Sequence, residues 1–300
     1  MSKRVLITGC SSGFGLLTAA GAAKAGYDVV ATMRNLDKRD ALENALTTAG
    51  TNATIDALDV TDAEAIKEIA AKYAPIDILV NNAGVLIMGS FLDITADEAR
   101  RIFETNYFGA VALTRLAAEQ MIQSGGGTII NVASLAGRVG HMFNSAYSAT
   151  KHALIGFSRS IRLELKPYNI KVVSVEPGYH KTEIIRTNAN QTENFYSRDS
   201  AMFEYNRGFL QLMFNEIIPR AGEAEVVAEK IVEIMGAPNP RRHYIIGKDA
   251  RFATVCQRLG LEGWLEGKVF AKLMTATQRQ RRREERKKAS RKKATGGQKG

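Results

Sequence analysis

The sequence has little cysteine and little histidine, and it contains no long hydrophobic run. The two cysteines, Cys10 and Cys256, do not form a CxxC pair, which argues against a disulfide framework and against a zinc site. No apolar stretch approaches the roughly 18 residues needed to span a bilayer. The four histidines are scattered along the chain, at His141, His152, His180 and His243. We therefore expect no bound metal.

The N-terminal segment lacks the features of a signal peptide. Met1 to Arg4 lead directly into a short apolar run and then into a loop rich in glycine and serine, which does not suit a signal peptide. We therefore expect a cytoplasmic protein. With 300 residues, of which 45% are hydrophobic, the chain is long enough to bury a large core.

The net charge of +10 is concentrated at the C-terminus. From Gln278 to Gly300 there are eleven Lys and Arg residues and two acidic ones, so this segment carries +9 and residues 1–277 carry about +1. The segment is of low complexity and has nothing to bury, so we predict a disordered basic tail over 278–300. The charge therefore says little about an active site in the folded body.

Three interpretations of this tail stay open. It is a solvated segment without a specific role, or it contacts anionic lipid, or it contacts nucleic acid without sequence specificity. Apolar residues just before the tail would support a lipid contact. They are Trp264, Leu265, Val269, Phe270, Leu273 and Met274.

Short apolar segments alternate with segments of helical periodicity through residue 177. The predicted strands are 4–9, 27–32, 53–58, 76–82, 127–134 and 170–177, and the predicted helices are 13–25, 37–48, 62–73, 96–123 and 145–165. Because the strands are apolar on both faces, this order predicts an α/β fold. We expect a doubly wound parallel sheet of about seven strands, in one domain, with helices on both sides.

The regular alternation ends after Pro177. We predict an apolar substrate lid over 179–220, although the same residues would also suit the core of two helices. Residues 222–236 are predicted helical, 243–247 form the last strand, and 251–277 form a helical extension of the domain at 1–250. The large apolar residues of the predicted lid are Phe195, Tyr196, Met202, Phe203, Tyr205, Phe209, Leu210, Met213 and Phe214.

A glycine-rich loop, "TGCSSGFG" at 8–15, joins the first predicted strand to the first helix. Gly9, Gly13 and Gly15 would permit a tight turn, a close approach of the backbone to a pyrophosphate, and close packing of helix on strand. The N-terminus of the helix offers free N–H groups to the phosphates. The spacing is GxxxGxG rather than GxGxxG. Its place at the start of a β-α series predicts a dinucleotide site.

The end of the second strand, "VVATMRN" at 29–35, bears on the choice of dinucleotide. An acidic residue at this point would bind the adenosine ribose of NAD, but Met33 stands there and Arg34 follows. A guanidinium attracts the 2′-phosphate that an acid would repel. We therefore predict NADP(H), with Ser12 as a second phosphate contact. The alternative is that Arg34 is a solvated residue of a surface loop.

The segment "SAYSATK" at 145–151 places Tyr147 and Lys151 four residues apart on a predicted helix, and therefore on one face. A phenol has a pKa of about 10 and is a weak acid at neutral pH. A nearby ammonium favours the phenolate, so we expect Lys151 to lower the pKa of Tyr147. Ser134, thirteen residues before Tyr147, ends the fifth strand and would hydrogen-bond a substrate carbonyl.

Taken together, these motifs resemble the short-chain dehydrogenase/reductase family over about residues 3–247. The segment "ATMRN" also resembles the branch of that family near the hydroxysteroid and retinol dehydrogenases. The matching segments are "TGCSSGFG", Asp59-Val60, "NNAG" at 81–84, Asn106 in "TNYFG", Ser134, "YSATK" at 147–151 and "PGYHKT" at 177–182.

The resemblance implies four catalytic residues. Tyr147 would be the acid in reduction and the base in oxidation, and Lys151 would bind the nicotinamide ribose and keep Tyr147 acidic. Ser134 would orient the carbonyl and stabilise charge on its oxygen. Asn106 would hold a water that links Lys151 to a proton relay. The hydride itself belongs to the cofactor.

The resemblance also implies binding residues and an assembly. Ser134, His141 and Tyr147 would contact the substrate. A homodimer or homotetramer would form through the 96–123 and 145–165 helices. The residues expected to bind the cofactor are Gly9, Ser11, Ser12, Gly13, Phe14, Gly15, Arg34, Asp59, Val60, Asn82, Ala83, Gly84, Tyr147, Lys151, Pro177, Gly178 and Thr182.

The sequence thus predicts an NADP(H)-dependent oxidoreductase that interconverts a hydrophobic alcohol and its ketone or aldehyde. The alternative is a non-catalytic NADP(H)-binding regulatory protein that uses its basic tail to bind partners. A regulator would have no need of Asn106, Ser134, Tyr147 and Lys151 together, so the presence of all four favours the enzyme.

Overall fold

The structure is a computed structural model that describes residues 2–182 and 190–296. The strands are, in chain order, β1 (Arg4–Thr8), β2 (Asp28–Met33), β3 (Thr54–Ala57), β4 (Ile78–Asn81), β5 (Ile87–Met88), β6 (Gly127–Val132), β7 (Ile170–Pro177), β8 (His180–Lys181), β9 (Asn190–Gln191), β10 (Gly222–Glu223) and β11 (His243–Ile246). The helices of the same residues are α1 (Gly13–Lys24), α2 (Asp40–Thr48), α3 (Ala63–Lys72), α4 (Ala96–Phe103), α5 (Gly109–Gln123), α6 (Ser145–Glu164), α7 (Phe203–Leu212), α8 (Glu225–Gly236), α9 (Lys248–Arg258) and α10 (Glu262–Gly296).

Seven of the strands form one parallel sheet, in the order β11-β7-β6-β4-β1-β2-β3. This confirms the predicted doubly wound α/β fold with about seven strands. Strand order reverses beside β1, because β2 and β3 lie on one side of it and β4 lies on the other. A crevice opens at such a point, outside the carboxyl ends of the strands.

The two faces of the sheet bury two separate cores, as the alternation of side chains in a strand requires. On one face, Val5 and Ile7 of β1 pack in a cluster that includes Ala19 of α1 and Ile231 of α8. On the other face, Leu6 packs in a cluster with residues of α3 and α5. Burial on both sides explains why the strands read as continuous apolar runs rather than as alternating ones.

Two predicted helices are interrupted. The helix predicted over 96–123 contains a π-helical turn at Glu104–Phe108, between α4 and α5. The extension predicted over 251–277 breaks near Gly260, whose φ of 70° does not fit a helix, and so forms α9 and α10. Asp62, where a helix was predicted to begin, is the N-cap of α3. Its carboxylate accepts hydrogen bonds from the N–H groups of Glu64 and Ala65.

The prediction of a disordered tail from 278 is wrong over 278–296, because α10 continues to Gly296 without a break. The boundary predicted at 277 therefore falls inside a helix. The segment is rich in Arg, Lys, Gln and Ala, which have high helix propensity. It also continues a helix that packs on α7 along a seam with helical spacing, and Gln280 is the member of that seam that lies beyond 277. The buried residues of that seam are Leu273, Ala276, Thr277 and Gln280.

Two further observations concern the predicted lid and the bilayer. Residues 183–189 of the lid predicted over 179–220 lie outside the described residues. Among the helices that the structure does describe, none combines the length and the apolar composition that a membrane span requires.

Candidate active site

A cleft of about 460 Å³ lies at the carboxyl ends of the sheet strands. It brings together the predicted site residues from segments far apart in the sequence. Gly15 and Asn106 are not among the residues that line it, and the others are. Those are Gly9, Ser11, Ser12, Gly13, Phe14, Arg34, Asp59, Val60, Asn82, Ala83, Gly84, Ser134, His141, Tyr147, Lys151, Pro177, Gly178 and Thr182.

Two glycines of the loop after β1 are required by close approach. A Cβ on Gly9 would lie 2.8 Å from the Cα of Ala83, and Gly9 also has a φ of 74°. A Cβ on Gly15 would lie 2.3 Å from the carbonyl oxygen of Gly9. Gly15 therefore lets α1 pack against the loop, although it does not line the cleft itself.

Asn82 holds the loop in place from the neighbouring strand. Its Nδ2 donates to the carbonyl oxygens of Thr8 and Gly9, at 2.9 and 3.1 Å. The Thr8 hydroxyl oxygen accepts from the N–H groups of Asn82 and Ala83, both at 3.0 Å. These bonds fix the ends of β1 and β4 together, so two polar side chains, Thr8 and Asn82, define the floor of the cleft.

The end of β2 presents positive charge to the cleft. Met33 is buried, while Arg34 is exposed and lines the cleft. Lys38 also lines it, from the 3-10 turn that follows at Leu36–Lys38. Within the described residues neither side chain has an ion-pair partner. Lys38 was missed by sequence reasoning, although its spacing of four residues from Arg34 was a usable signal.

Buried Lys151 and half-buried Tyr147 and Ser134 form a cluster at the base of the cleft. The Ser134 hydroxyl lies close enough to Tyr147 to act on its pKa, and its oxygen accepts from the N–H of Ala136 at 3.1 Å. The Lys151 Nζ lies 5.6 Å from the centroid of the Tyr147 ring. It donates to the carbonyl oxygen of Val132 at 2.9 Å. One helix, α6, therefore presents both Tyr147 and Lys151 to the end of β6.

Burial dominates the protonation of this cluster. It raises the pKa of the Tyr147 phenol to about 12, although the hydrogen bond with Ser134 acts in the opposite direction. It lowers the pKa of the Lys151 ammonium to about 8. Burial therefore outweighs the stabilisation of the phenolate that we expected from Lys151, because removing both groups from water disfavours both charged forms, and the net shift in the pKa of Tyr147 is upward.

Asn106 lies in the π-helical turn beside this cluster and is almost completely buried. Its Oδ1 accepts from the N–H of Val85 at 2.7 Å, and its Nδ2 donates to the carbonyl oxygen of Val85 at 2.9 Å. The Nδ2 also donates to the Thr150 hydroxyl at 3.2 Å. The side chain thus ties α6 to the segment after β4, and the predicted role of Asn106 in holding a water stays a prediction.

His141 lines the cleft and stacks on Tyr179, with ring centroids 5.6 Å apart. The Tyr179 hydroxyl lies 3.2 Å from His141 Nδ1, within hydrogen-bonding distance. Burial lowers the pKa of His141 to about 4, so the ring is neutral at pH 7. Sequence reasoning missed Tyr179, although it stands inside the quoted segment "PGYHKT".

The residues predicted to form the lid mostly form a core. Phe209 and Met213 are buried in a cluster with Leu86, Met88 and Leu273. Of the nine large apolar residues named for the lid, Met213 lines the cleft. Packing is therefore the more common role of these residues, and the substrate lid stays a prediction.

The chain matches a family model described as short chain dehydrogenase over residues 3–193. It is 35% identical over 283 residues to the uncharacterized oxidoreductase YusZ of Bacillus subtilis, which covers 90% of this chain and all of YusZ. It is also 35% identical over 247 residues to retinol dehydrogenase 8 of Bos taurus, which covers 79% of each chain.

Solved structures are similar over most of the chain. A short-chain dehydrogenase from Streptomyces avermitilis superposes with a TM-score of 0.74 at 32% identity, covering 94% of this chain and 98% of that one. A short-chain dehydrogenase from Sphingobium yanoikuyae, in complex with NADPH, gives 0.67 at 27% identity, with 87% and 95% covered. The cleft, its Ser-Tyr-Lys cluster and these matches all indicate the same family. The chain belongs to the short-chain dehydrogenase family and is an oxidoreductase that acts on CH–OH groups.

Proposed function

We propose that this enzyme interconverts a hydrophobic alcohol and its ketone or aldehyde, with NADP(H) as the preferred cofactor and Tyr147 as the acid and base. The observation that carries the proposal is the cluster of Tyr147, Ser134 and Lys151 at the base of the cleft. Two neighbouring hydroxyls beside an ammonium are suited to bind and protonate one carbonyl oxygen.

The residues of the loop fit a dinucleotide. Ser12 precedes α1, and its side chain makes no capping hydrogen bond, so it does not occupy the N–H groups of the first turn. Such groups bind phosphate well. Gly9 and Gly13 have φ values of 74° and 56° and carry no side chain that would keep a pyrophosphate away. When bound, the nicotinamide supplies the hydride in reduction or accepts it in oxidation.

Each residue of the cluster has a defined task in this proposal. During reduction, hydride adds to the carbonyl carbon while Tyr147 gives its hydroxyl proton to the oxygen, and in oxidation Tyr147 takes that proton back. Ser134 donates a hydrogen bond to the same oxygen and stabilises its charge. Lys151, as an ammonium 5.6 Å from the ring centroid, stabilises the phenolate that remains.

The preference for NADP(H) rests on the cations at the end of β2. Arg34 and Lys38 line the cleft, and buried Met33 occupies the position of the ribose-binding acid. A guanidinium and an ammonium suit a 2′-phosphate. The NADPH bound to the Sphingobium yanoikuyae relative is consistent with this choice.

The substrate class rests on the apolar side of the cleft. Leu86, Met88 and Met213 line it, and apolar linings of this kind suit apolar ligands. Tyr179 and neutral His141 add a hydrogen-bonding pair that could bind a second oxygen of the substrate. Retinol dehydrogenase 8 of Bos taurus is named for an apolar alcohol, which supports this class.

The cofactor proposal is tested by binding NADPH and NADH to the purified protein and to Arg34→Asp. We expect the native enzyme to prefer NADPH, and Arg34→Asp to lose about 2 kcal/mol of that preference, because a charge-assisted phosphate contact is removed. Arg39→Asp is the control, since Arg39 pairs with Glu43 and does not line the cleft. An unchanged preference in Arg34→Asp would remove Arg34 from the phosphate site.

We also propose a homodimer or homotetramer, as the family resemblance implies. The helices concerned leave large apolar side chains exposed, among them Phe108, Ile122 and Leu163. Light scattering at several protein concentrations measures the mass. A monomer at every concentration would contradict the proposal.

A further inference from the structure

The C-terminal helices carry an exposed apolar surface that the active site does not explain. Phe252, Val255, Leu259 and Trp264 are each half exposed or more, and we call them the apolar patch. Phe252 and Val255 share one face of α9, since they are three residues apart, and Leu259 follows at the end of the helix. The rings of Phe252 and Trp264 meet edge to face with centroids 6.4 Å apart. The patch therefore continues from α9 onto the start of α10.

The same side of α10 continues as a row of cations. At about 3.6 residues per turn, the side opposite the buried seam begins with Trp264 and proceeds through Lys268, Arg279, Arg282 and Arg286. All of these side chains are exposed. The Lys268 Nζ lies 5.8 Å from the Trp264 ring centroid, which joins the first cation to the apolar patch.

The acidic residues near the patch do not cancel this charge. Glu262 and Glu266 fall on the side of α10 that carries the seam, and Glu285 stands at the edge of the basic side. Arg281, by contrast, points back to the body of the protein, where its Nε lies 3.7 Å from a carboxylate oxygen of Glu204. The outward side of α10 therefore combines an aromatic start with a basic continuation, and together they span about 33 Å from Trp264 to Arg286.

We infer that this surface binds anionic phospholipid, with the apolar patch in the interfacial region and the row of arginines over the head groups. Aromatic and aliphatic side chains beside a basic helical face are what an interfacial contact requires. Contact with nucleic acid would use the cations but would leave Phe252, Val255 and Leu259 in water. A second copy of the chain would bring the like charges of two basic rows together.

The position of this surface suggests what it does for the enzyme. The opposite side of α10 packs on α7, next to the cluster that forms the apolar side of the cleft. An enzyme held at a bilayer through α10 meets apolar substrates where they are most concentrated. This last step rests on the proposed function, whereas the lipid contact itself does not.

The test is flotation of the full-length protein with vesicles of phosphatidylcholine alone or with about one third phosphatidylglycerol, at low and at high salt. We expect binding to the anionic vesicles, weakened by salt. Arg279→Gln/Arg282→Gln/Arg286→Gln should weaken partitioning about fivefold per cation, or about a hundredfold in total. Phe252→Ser/Trp264→Ser should weaken it about tenfold or more. The matched control, Lys3→Gln/Lys24→Gln/Lys166→Gln, removes three exposed cations elsewhere and should bind as the native protein does.

Melting temperature and NADPH binding, measured on every variant, show that loss of lipid binding is not loss of folding. Absence of binding to anionic vesicles would overturn the inference, and so would equal losses in the arginine variant and its control. Binding of duplex DNA that competes with vesicles and is unaffected by Phe252→Ser/Trp264→Ser would overturn it in favour of nucleic acid. Lipid binding without any carbonyl reduction would support the lipid contact and contradict the proposed function.

Discussion

The two walls of the cleft are built by different means. The wall that carries Tyr147, Ser134 and the glycine loop, which we call the catalytic wall, is held largely by backbone pairing in the parallel sheet and by the close approach at Gly9 and Gly15, with added bonds from the side chains of Thr8 and Asn82. The second wall, as far as the structure describes it, is made by residues 190–212, which include α7. That substrate wall is held mainly by buried side chains.

Two carboxylates hold most of the substrate wall. Asp93 accepts from the Ser90 hydroxyl and from Asn206 Nδ2, both at 2.7 Å, and it also accepts from the Ser200 hydroxyl. Burial alone would raise the pKa of Asp93, but these hydrogen bonds outweigh it and hold the pKa below its usual range. Glu98 accepts in the same way from the Thr192 hydroxyl at 2.7 Å.

The difference shows where such an enzyme is free to vary. A wall fixed by backbone hydrogen bonds keeps its shape when most side chains change, so the cofactor and the chemistry are preserved. A wall fixed by a few polar side chains changes shape when one of them changes. The same sheet is thereby able to serve many substrates, since function resides in the site that the fold carries.

We expect the largest difference in kinetic effect between the two walls from one matched pair of substitutions. Tyr147→Phe should lower kcat/KM for carbonyl reduction by roughly 10²–10⁴, the usual contribution of a general acid. Tyr179→Phe removes the same atom from the other side of the cleft and should mainly raise KM. NADPH binding, followed by fluorescence, should be unchanged in both. Equal losses of kcat in the two variants would contradict the assignment of Tyr147 as the general acid, and they would remove the difference between the two walls.

The side-chain origin of the substrate wall is tested at Asp93. Asp93→Asn places an amide among hydroxyl and amide donors, so the free energy of unfolding should fall by about 1–3 kcal/mol. KM for the carbonyl should rise while kcat stays nearly constant. Asp97→Asn is the control, because Asp97 is exposed and pairs with Arg100 at the surface. Urea denaturation that gives equal losses for both variants would show that Asp93 does not hold the wall.

The electrostatics of the catalytic wall predict a pH profile. Lys151, whose pKa burial lowers to about 8, loses its charge above that pH, while Tyr147 with a pKa of about 12 keeps its proton. We expect kcat/KM for reduction to fall about tenfold per pH unit above pH 8. In Lys151→Arg the cation persists, so the profile from pH 7 to 10 should be flat, although lower overall. A fall that persists in Lys151→Arg would assign the titration to another group.

The smallest effect is expected at the end of the substrate wall. Deletion of 278–300 removes Gln280 from the seam with α7 but leaves Leu273, Ala276 and Thr277 in place. We expect kcat/KM to stay within about twofold of the native value, as for changes remote from the core. A collapse in steady-state activity would mean that the last turns of α10 support the cleft directly.

The catalytic wall could be predicted from the sequence almost residue by residue, because its signals are local. Apolar runs gave the strands, the glycines marked the turn, and Tyr147 and Lys151 stand one helical turn apart. The direction of the pKa shift at Tyr147 could not be read this way, since it depends on how deeply three distant segments bury one hydroxyl.

The substrate wall was predicted poorly, because its contacts join residues far apart in the sequence. No sequence pattern near Asp93 predicts its hydrogen bond with Asn206, which lies 113 residues further along the chain. The helix through 278–296 was also missed, since low complexity indicates disorder only when no partner is available, and here α7 supplies one. Lys38 and Tyr179 lie beside or within recognised motifs, but neither belongs to a periodic pattern, so the sequence did not single them out.

The order of strands across the sheet has a consequence for the chain as it leaves the ribosome. β1 is made first, β2 and β3 then add on one side of it, and β4, β6, β7 and β11 add in turn on the other. Every new strand meets an edge that already exists, and none has to be inserted between two others. Since N-terminal parts fold first during synthesis, most of the pocket for the dinucleotide is made before α7 is translated.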